Sequence, residues 1–214
     1  DMPDGRIFVL KMKQKAAELW DVSTRQQVVT FEADAVLSHL PNVNPFVFSR
    51  DRTLAACGDT NRLVWVWNVA DGKALGVLPG HSERIRALRF SRDSKILASG
   101  SMDNTVMLWD LTRKQEIATL RGSGGWIRSM DFSTDGRTLA TVSSDGAIKL
   151  WSLSSFREWM TLPERSGPQS AVTFTAGERA LLCLDDEDHR LRVFRAPTLA
   201  EIEAEIAGNS KWRP

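Results

Sequence analysis

Only one stretch of this chain crowds carboxylates around a histidine: Asp185-Asp186-Glu187-Asp188-His189. Clusters of oxygens suit a hard cation. Consecutive residues on a strand or tight turn do not converge well on one ion, however, so no metal is assigned. Asp186 or Asp188 is expected to serve the turn it occupies. A second stretch, Gly122-Ser123-Gly124-Gly125, has the glycine density of a phosphate loop but lacks the Lys-Ser/Thr pair such a loop needs. Ser123 has no base in a recognisable relation to it, and neither zinc-ligand spacing nor a nucleophile elbow occurs. The histidines are His39, His81 and His189. No catalytic residue and no cofactor follow from these residues, and the chain is not expected to be an enzyme.

The elements that carry these residues repeat. Leu19-Trp20-Asp21-Val22, Val66-Trp67-Asn68-Val69, Leu108-Trp109-Asp110-Leu111 and Leu150-Trp151-Ser152-Leu153 recur, with a fainter copy at Val193-Phe194-Arg195-Ala196; the aromatics are 47, 42, 42 and 43 residues apart. Asp4, Asp51, Asp93 and Asp135 each precede their Trp by 16 residues. A period of about 40–45 residues with a Trp-Asp signature predicts four-stranded propeller blades. Phe-Ser-x-Asp ends one strand and enters a tight turn. Leu-Ala-Ser/Thr reads as a strand buried on both faces. Asp103-Asn104 and Asp145-Gly146 read as two-residue hairpin turns.

The chain resembles the WD-repeat (WD40) β-propeller family. The fullest unit is Gly80-His81, Ile85, Phe90-Ser91-Arg92-Asp93, Leu97-Ala98-Ser99-Gly100-Ser101, Asp103, Thr105 and Leu108-Trp109-Asp110. The next is Gly122, Ile127, Phe132-Ser133-Thr134-Asp135-Gly136, Leu139-Ala140-Thr141, Asp145-Gly146 and Leu150-Trp151. The resemblance implies a buried polar network of His81, Ser99, Asp103 and Trp109, because buried polar groups need partners. Thr141, Asp145 and Trp151 fit the same pattern, but Ser123 stands where histidine is expected. Asp59 and Trp67 fit in the second unit, with His39 a candidate third member. In the last unit Phe194 replaces Trp and Arg165 lies near the histidine position.

The fold class expected is all-β: about four and a half to five four-stranded blades over residues 1–196, then a tail over 197–214. Asp4-Gly5-Arg6 aligns with Asp135-Gly136-Arg137, so the chain is expected to begin inside a blade, as the C-terminal part of a seven- or eight-blade ring; a complete five-blade ring is the alternative. In the tail, Thr198 as N-cap, Glu201 as its capping-box partner and Leu199, Ile202 and Ile206 on one face predict a short helix stopped by Gly208.

Net charge is +1, with 28 basic and 27 acidic residues among 214, so nothing pulls the chain generally toward nucleic acid or anionic membrane. No apolar run approaches the roughly 18 residues of a membrane span. Cys57 and Cys183, expected on inner strands of different blades, suit a reducing compartment and so a cytoplasmic protein.

Function on repeat folds lies in loops and rims. By the resemblance, the rim beside the central channel carries Asn42 and Asn44, Arg84 and Arg86, Trp126 and Arg128, and Pro168 and Ser170. Arg and Trp are enriched in binding hot spots, and Arg clusters favour acidic or phosphorylated peptides. Trp65 is a further candidate contact residue, or covers a neighbouring blade. The expected function is a protein–protein interaction scaffold that binds a partner segment on the rim, with self-association through open blade edges. A regulatory C-terminal propeller of a larger signalling protein, such as a bacterial serine/threonine kinase, is the alternative; a metal-dependent propeller enzyme is the third class.

Overall fold

The computed structural model describes residues 8–12, 16–32, 45–162, 169–175, 180–185 and 190–195. The 197–214 tail with its expected short helix, His39, Asn42, Asn44, Arg165, Pro168 and the 186–189 part of the acidic cluster lie outside them. All regular structure described is antiparallel sheet. The first sheet holds β1 (Phe8–Met12), β2 (Ala16–Asp21) and β3 (Gln26–Glu32). The second is β4 (Phe46–Phe48), β5 (Leu54–Gly58), β6 (Val64–Asn68) and β7 (Ala74–Leu78). The third is β8 (Ile85–Phe90), β9 (Ile96–Ser101), β10 (Val106–Asp110) and β11 (Gln115–Leu120), and the fourth is β12 (Ile127–Phe132), β13 (Thr138–Ser143), β14 (Ile148–Ser152) and β15 (Arg157–Leu162). The fifth holds β16 (Gln169–Phe174), β17 (Ala180–Asp185) and β18 (Leu191–Arg195).

Each sheet is a meander in which neighbours in sequence are neighbours in space. The aromatic motif falls on β2, β6, β10, β14 and β18, the third strand of a full sheet. Among the described residues the first sheet shows no strand in the position that β4, β8, β12 and β16 fill in the others.

Strand side chains alternate between faces, and on the middle strands β5, β6, β9, β10 and β13 both faces are buried. On β6, Trp65 and Trp67 face the first sheet, while Val64 and Val66 face the third. On β10, Met107 and Trp109 face the second sheet, while Val106 and Leu108 face the fourth. Leu97, Ala98 and Ser99 are all fully buried, as a strand enclosed on both sides requires. Four apolar clusters join the five sheets pairwise. Among the described residues none joins the first sheet to the fifth, so the sheets form an open series rather than a closed five-blade ring.

The turns are held by side chains. In Ser49-Arg50-Asp51, Ser91-Arg92-Asp93 and Ser133-Thr134-Asp135 the serine hydroxyl donates to the aspartate Oδ1 at 2.6, 2.7 and 2.7 Å. Each serine Oγ in turn accepts from the amide that opens the next strand, at 2.9 Å in all three. The hairpins after β9 and β13 differ from expectation. Backbone bonds close Ser101 on Thr105 and Ser143 on Ala147, so the loops hold three residues, not two. Their last residues, Asn104 and Gly146, take left-handed φ of 65° and 88°, the arrangement of a type I turn followed by a bulge.

Candidate functional site

The third blade builds the polar network that the resemblance implies. His81 Nδ1 lies 2.8 Å from Asp103 Oδ2, and its Nε2 lies 2.8 Å from Ser99 Oγ. Trp109 Nε1 donates to the same Ser99 Oγ at 2.8 Å. The carboxylate beside Nδ1 assigns the proton to that nitrogen, so Nε2 accepts from the serine hydroxyl, and every group is satisfied. Burial pushes the Asp103 carboxyl up, but hydrogen bonds from Thr105 and His81 outweigh it and hold it below the usual range. All four residues are spent on one another, which is a structural role.

In the fourth blade Trp151 Nε1 donates to Thr141 Oγ1 at 2.9 Å. Asp145 turns back into its own hairpin and accepts from Ser143 Oγ and the Ala147 amide. Ser123 makes no bridge to it. The glycines beside Ser123 have a packing reason: a Cβ on Gly124 would stand 2.3 Å from Asp145 Oδ2, and one on Gly125 would stand 2.3 Å from Ser144 Oγ. The glycine run is a blade-to-blade connection pressed against a turn.

The second blade uses a different donor. Asp59 accepts from the Asn61 and Leu63 amides and, through Oδ2, from Trp65 Nε1 at 2.8 Å. Trp65 is 7% exposed and stacks on Trp67 with ring centroids 6.0 Å apart. The expectation that Trp65 is a contact residue is thus corrected: its ring is inside, and its N–H is committed to the turn carboxylate. Trp67 is fully buried against Phe31 and Phe46.

The cysteines lie in different blades, on β5 and β17, the second strand of each sheet. Cys57 pairs across from Trp65 and Cys183 from Arg192, the register position that Ser99 and Thr141 hold opposite Met107 and Lys149. Two blades thus carry a thiol where two others carry the hydroxyl that receives the indole. Both thiols are fully buried and free. Burial, with the nearby Asp59 charge, pushes Cys57 up to about 12; burial pushes Cys183 up to about 11, against Arg192.

The structure brings three of the rim residues together. Trp126 carries the guanidinium of Arg86 at 4.7 Å from its ring centroid and that of Arg128 at 4.9 Å. Arg86 belongs to β8, Arg128 to β12, and Trp126 immediately precedes β12, so the trio bridges two blades. The anchors are Ile85 and Ile127, which are 1% and 0% exposed. Each seats on a glycine of the preceding sheet: a Cβ on Gly58 would come within 2.8 Å of Ile85, and one on Gly100 within 2.5 Å of Ile127. Arg84 is exposed beside them and pairs with no described carboxylate, Glu83 included. Ser170 lies on β16, equivalent to Arg128, and nothing is described of its side chain. Among the described residues no group of three or more His, Cys, Asp or Glu could hold a metal. No helix described is long and apolar enough to cross a membrane.

A family model, the WD domain, G-beta repeat, matches residues 72–110 and 114–152. Each matched segment runs from the outer strand of one sheet through the third strand of the next, so the sequence repeat is staggered against the sheets. The comparison with curated proteins finds no match.

Proposed function

We propose that this chain, whose residues 72–110 and 114–152 match the WD-repeat model, is a protein–protein interaction scaffold whose rim residues Arg84, Arg86, Trp126 and Arg128 receive an acidic segment of a partner. WD repeats generally mediate contacts between proteins. The observation that carries the reading is the Arg86–Trp126–Arg128 stack, at 4.7 and 4.9 Å. A guanidinium over an indole face is held by the ring quadrupole. In that arrangement the edge of the Arg86 guanidinium can make bidentate bonds to carboxylate or phosphate oxygens. Stacking also restrains two long side chains before binding, which lowers the entropy cost of ordering them. The two buried free thiols fit a reducing, cytoplasmic setting.

The experiment is affinity capture with quantitative mass spectrometry, comparing the native chain with Arg84→Glu, Arg86→Glu and Trp126→Ala. Loss of a common set of acidic partners from all three variants is expected. An unchanged partner list in every variant would sink the reading.

A further inference from the structure

At the other end of the same inner strands lies a second site. β8 and β12 begin at the Arg/Trp rim and end at Phe90 and Phe132, about 17–20 Å away for six-residue strands. There the strand ends of four sheets enclose a cleft of about 530 Å³. This lies within the roughly 300–1,000 Å³ of small-molecule sites. Its apolar part comes from Phe48, Phe90, Phe132 and Phe174, one from each inner strand, and its charged part from Arg50, Arg89, Arg92 and Asp131.

The charges do not balance. Asp131 accepts from Arg89 on one oxygen and from Thr173 Oγ1 and the Phe174 amide on the other, each at 2.8 Å. That carboxylate is fully used. Arg50 and Arg92 are exposed and pair with no described carboxylate. The neighbouring Asp51, Asp93 and Asp135 bond to their own serines and do not line this cleft. Three guanidinium groups against one carboxylate leave a surplus of two positive charges in a cleft with aromatic walls. A phosphate group carries about −1.5 to −2 at neutral pH and matches planar guanidinium donors.

We infer that this cleft binds a small molecule bearing a phosphate or pyrophosphate group, held by Arg50 and Arg92, with Arg89 fixed in place by Asp131. It goes beyond the rim reading and stands apart from it, because the two sites use opposite strand ends.

Titration calorimetry of the full chain tests it with inorganic pyrophosphate, sulfate and a phosphoserine peptide, at low and physiological salt. Saturable one-to-one binding of pyrophosphate, tighter than sulfate, is expected. Arg50→Glu with Arg92→Glu, both exposed positions, should weaken it at least about tenfold, while Arg86→Glu and Trp126→Ala leave it unchanged. Absence of saturable pyrophosphate binding, insensitivity to the Arg50 and Arg92 changes, or binding of the phosphopeptide alone would each overturn it.

Discussion

Arg89 donates from both Nε and Nη2 to the same oxygen of Asp131, each at 2.8 Å, across the gap between two blades. The other Asp131 oxygen takes Thr173 Oγ1 and the Phe174 amide from the next blade. One carboxylate therefore ties three inner strands. Its side chain is 9% exposed while that of Arg89 is 48% exposed, so the two ends of the pair are unequal. Removing the buried acceptor orphans donors on both neighbours. Asp131→Ala is expected to cost about 2–3 kcal/mol in urea denaturation. Arg89→Ala should cost less, about 1 kcal/mol, since water screens the exposed guanidinium and two donors still hold the carboxylate. Equal costs would refute the three-strand tie.

Ser99 is the hub of the third blade, since its hydroxyl serves both His81 Nε2 and Trp109 Nε1. Ser99→Ala leaves two buried polar groups without partners and should cost about 2–4 kcal/mol. Thr141→Ser keeps the hydroxyl that receives Trp151 Nε1 and should cost less than about 1.5 kcal/mol. Equilibrium unfolding of the two variants decides this, and a mild Ser99→Ala would show that the network is dispensable.

The Ser-x-Asp turns set an acid limit. Hydrogen bonds from Ser49, Ser91 and Ser133 are the leading cause that lowers Asp51, Asp93 and Asp135, with Asp51 brought to about 2. A carboxylate lowered in the folded state adds stability above its unfolded pKa of about 3.9, and loses it as pH falls through the folded value. The urea midpoint should hold steady above about pH 5 and fall between about pH 4 and 2. Replacing all three serines by alanine should narrow its gap to the native chain over that window. A gap independent of pH would contradict the assignment.

Both thiols should be inert while the fold is intact. Reactivity needs thiolate and access, and Cys57 and Cys183 have neither, at pKa values of about 12 and 11 with no exposure. A chromogenic thiol reagent at pH 8 is expected to label neither cysteine rapidly in native protein and both in denaturant. Fast native labelling of either residue would show that its blade opens.

The features legible beforehand are those written inside one repeat. The resemblance implied that His81, Ser99, Asp103 and Trp109 meet, and the period-two alternation of strand side chains with the fixed register of a meander is what brings them together. The fixed spacing of Trp20, Trp67, Trp109, Trp151 and Phe194 likewise specifies successive sheets, because each aromatic must fill the same gap. Contacts between repeats are different. Positions 47, 89, 131 and 173 read Val, Arg, Asp and Thr along the chain, and only the docking of one sheet on the next turns two of them into an ion pair. Trp65 read either as a contact residue or as cover for a neighbouring blade; the face of the first sheet buries it, and Asp59 takes its N–H. The cysteines stand apart in sequence and became equivalents of Ser99 and Thr141 only through strand register. That the Arg/Trp rim and the arginine cleft stand at opposite ends of the same strands was likewise decided in three dimensions, where side chains from separate repeats share one surface and their charges no longer cancel locally.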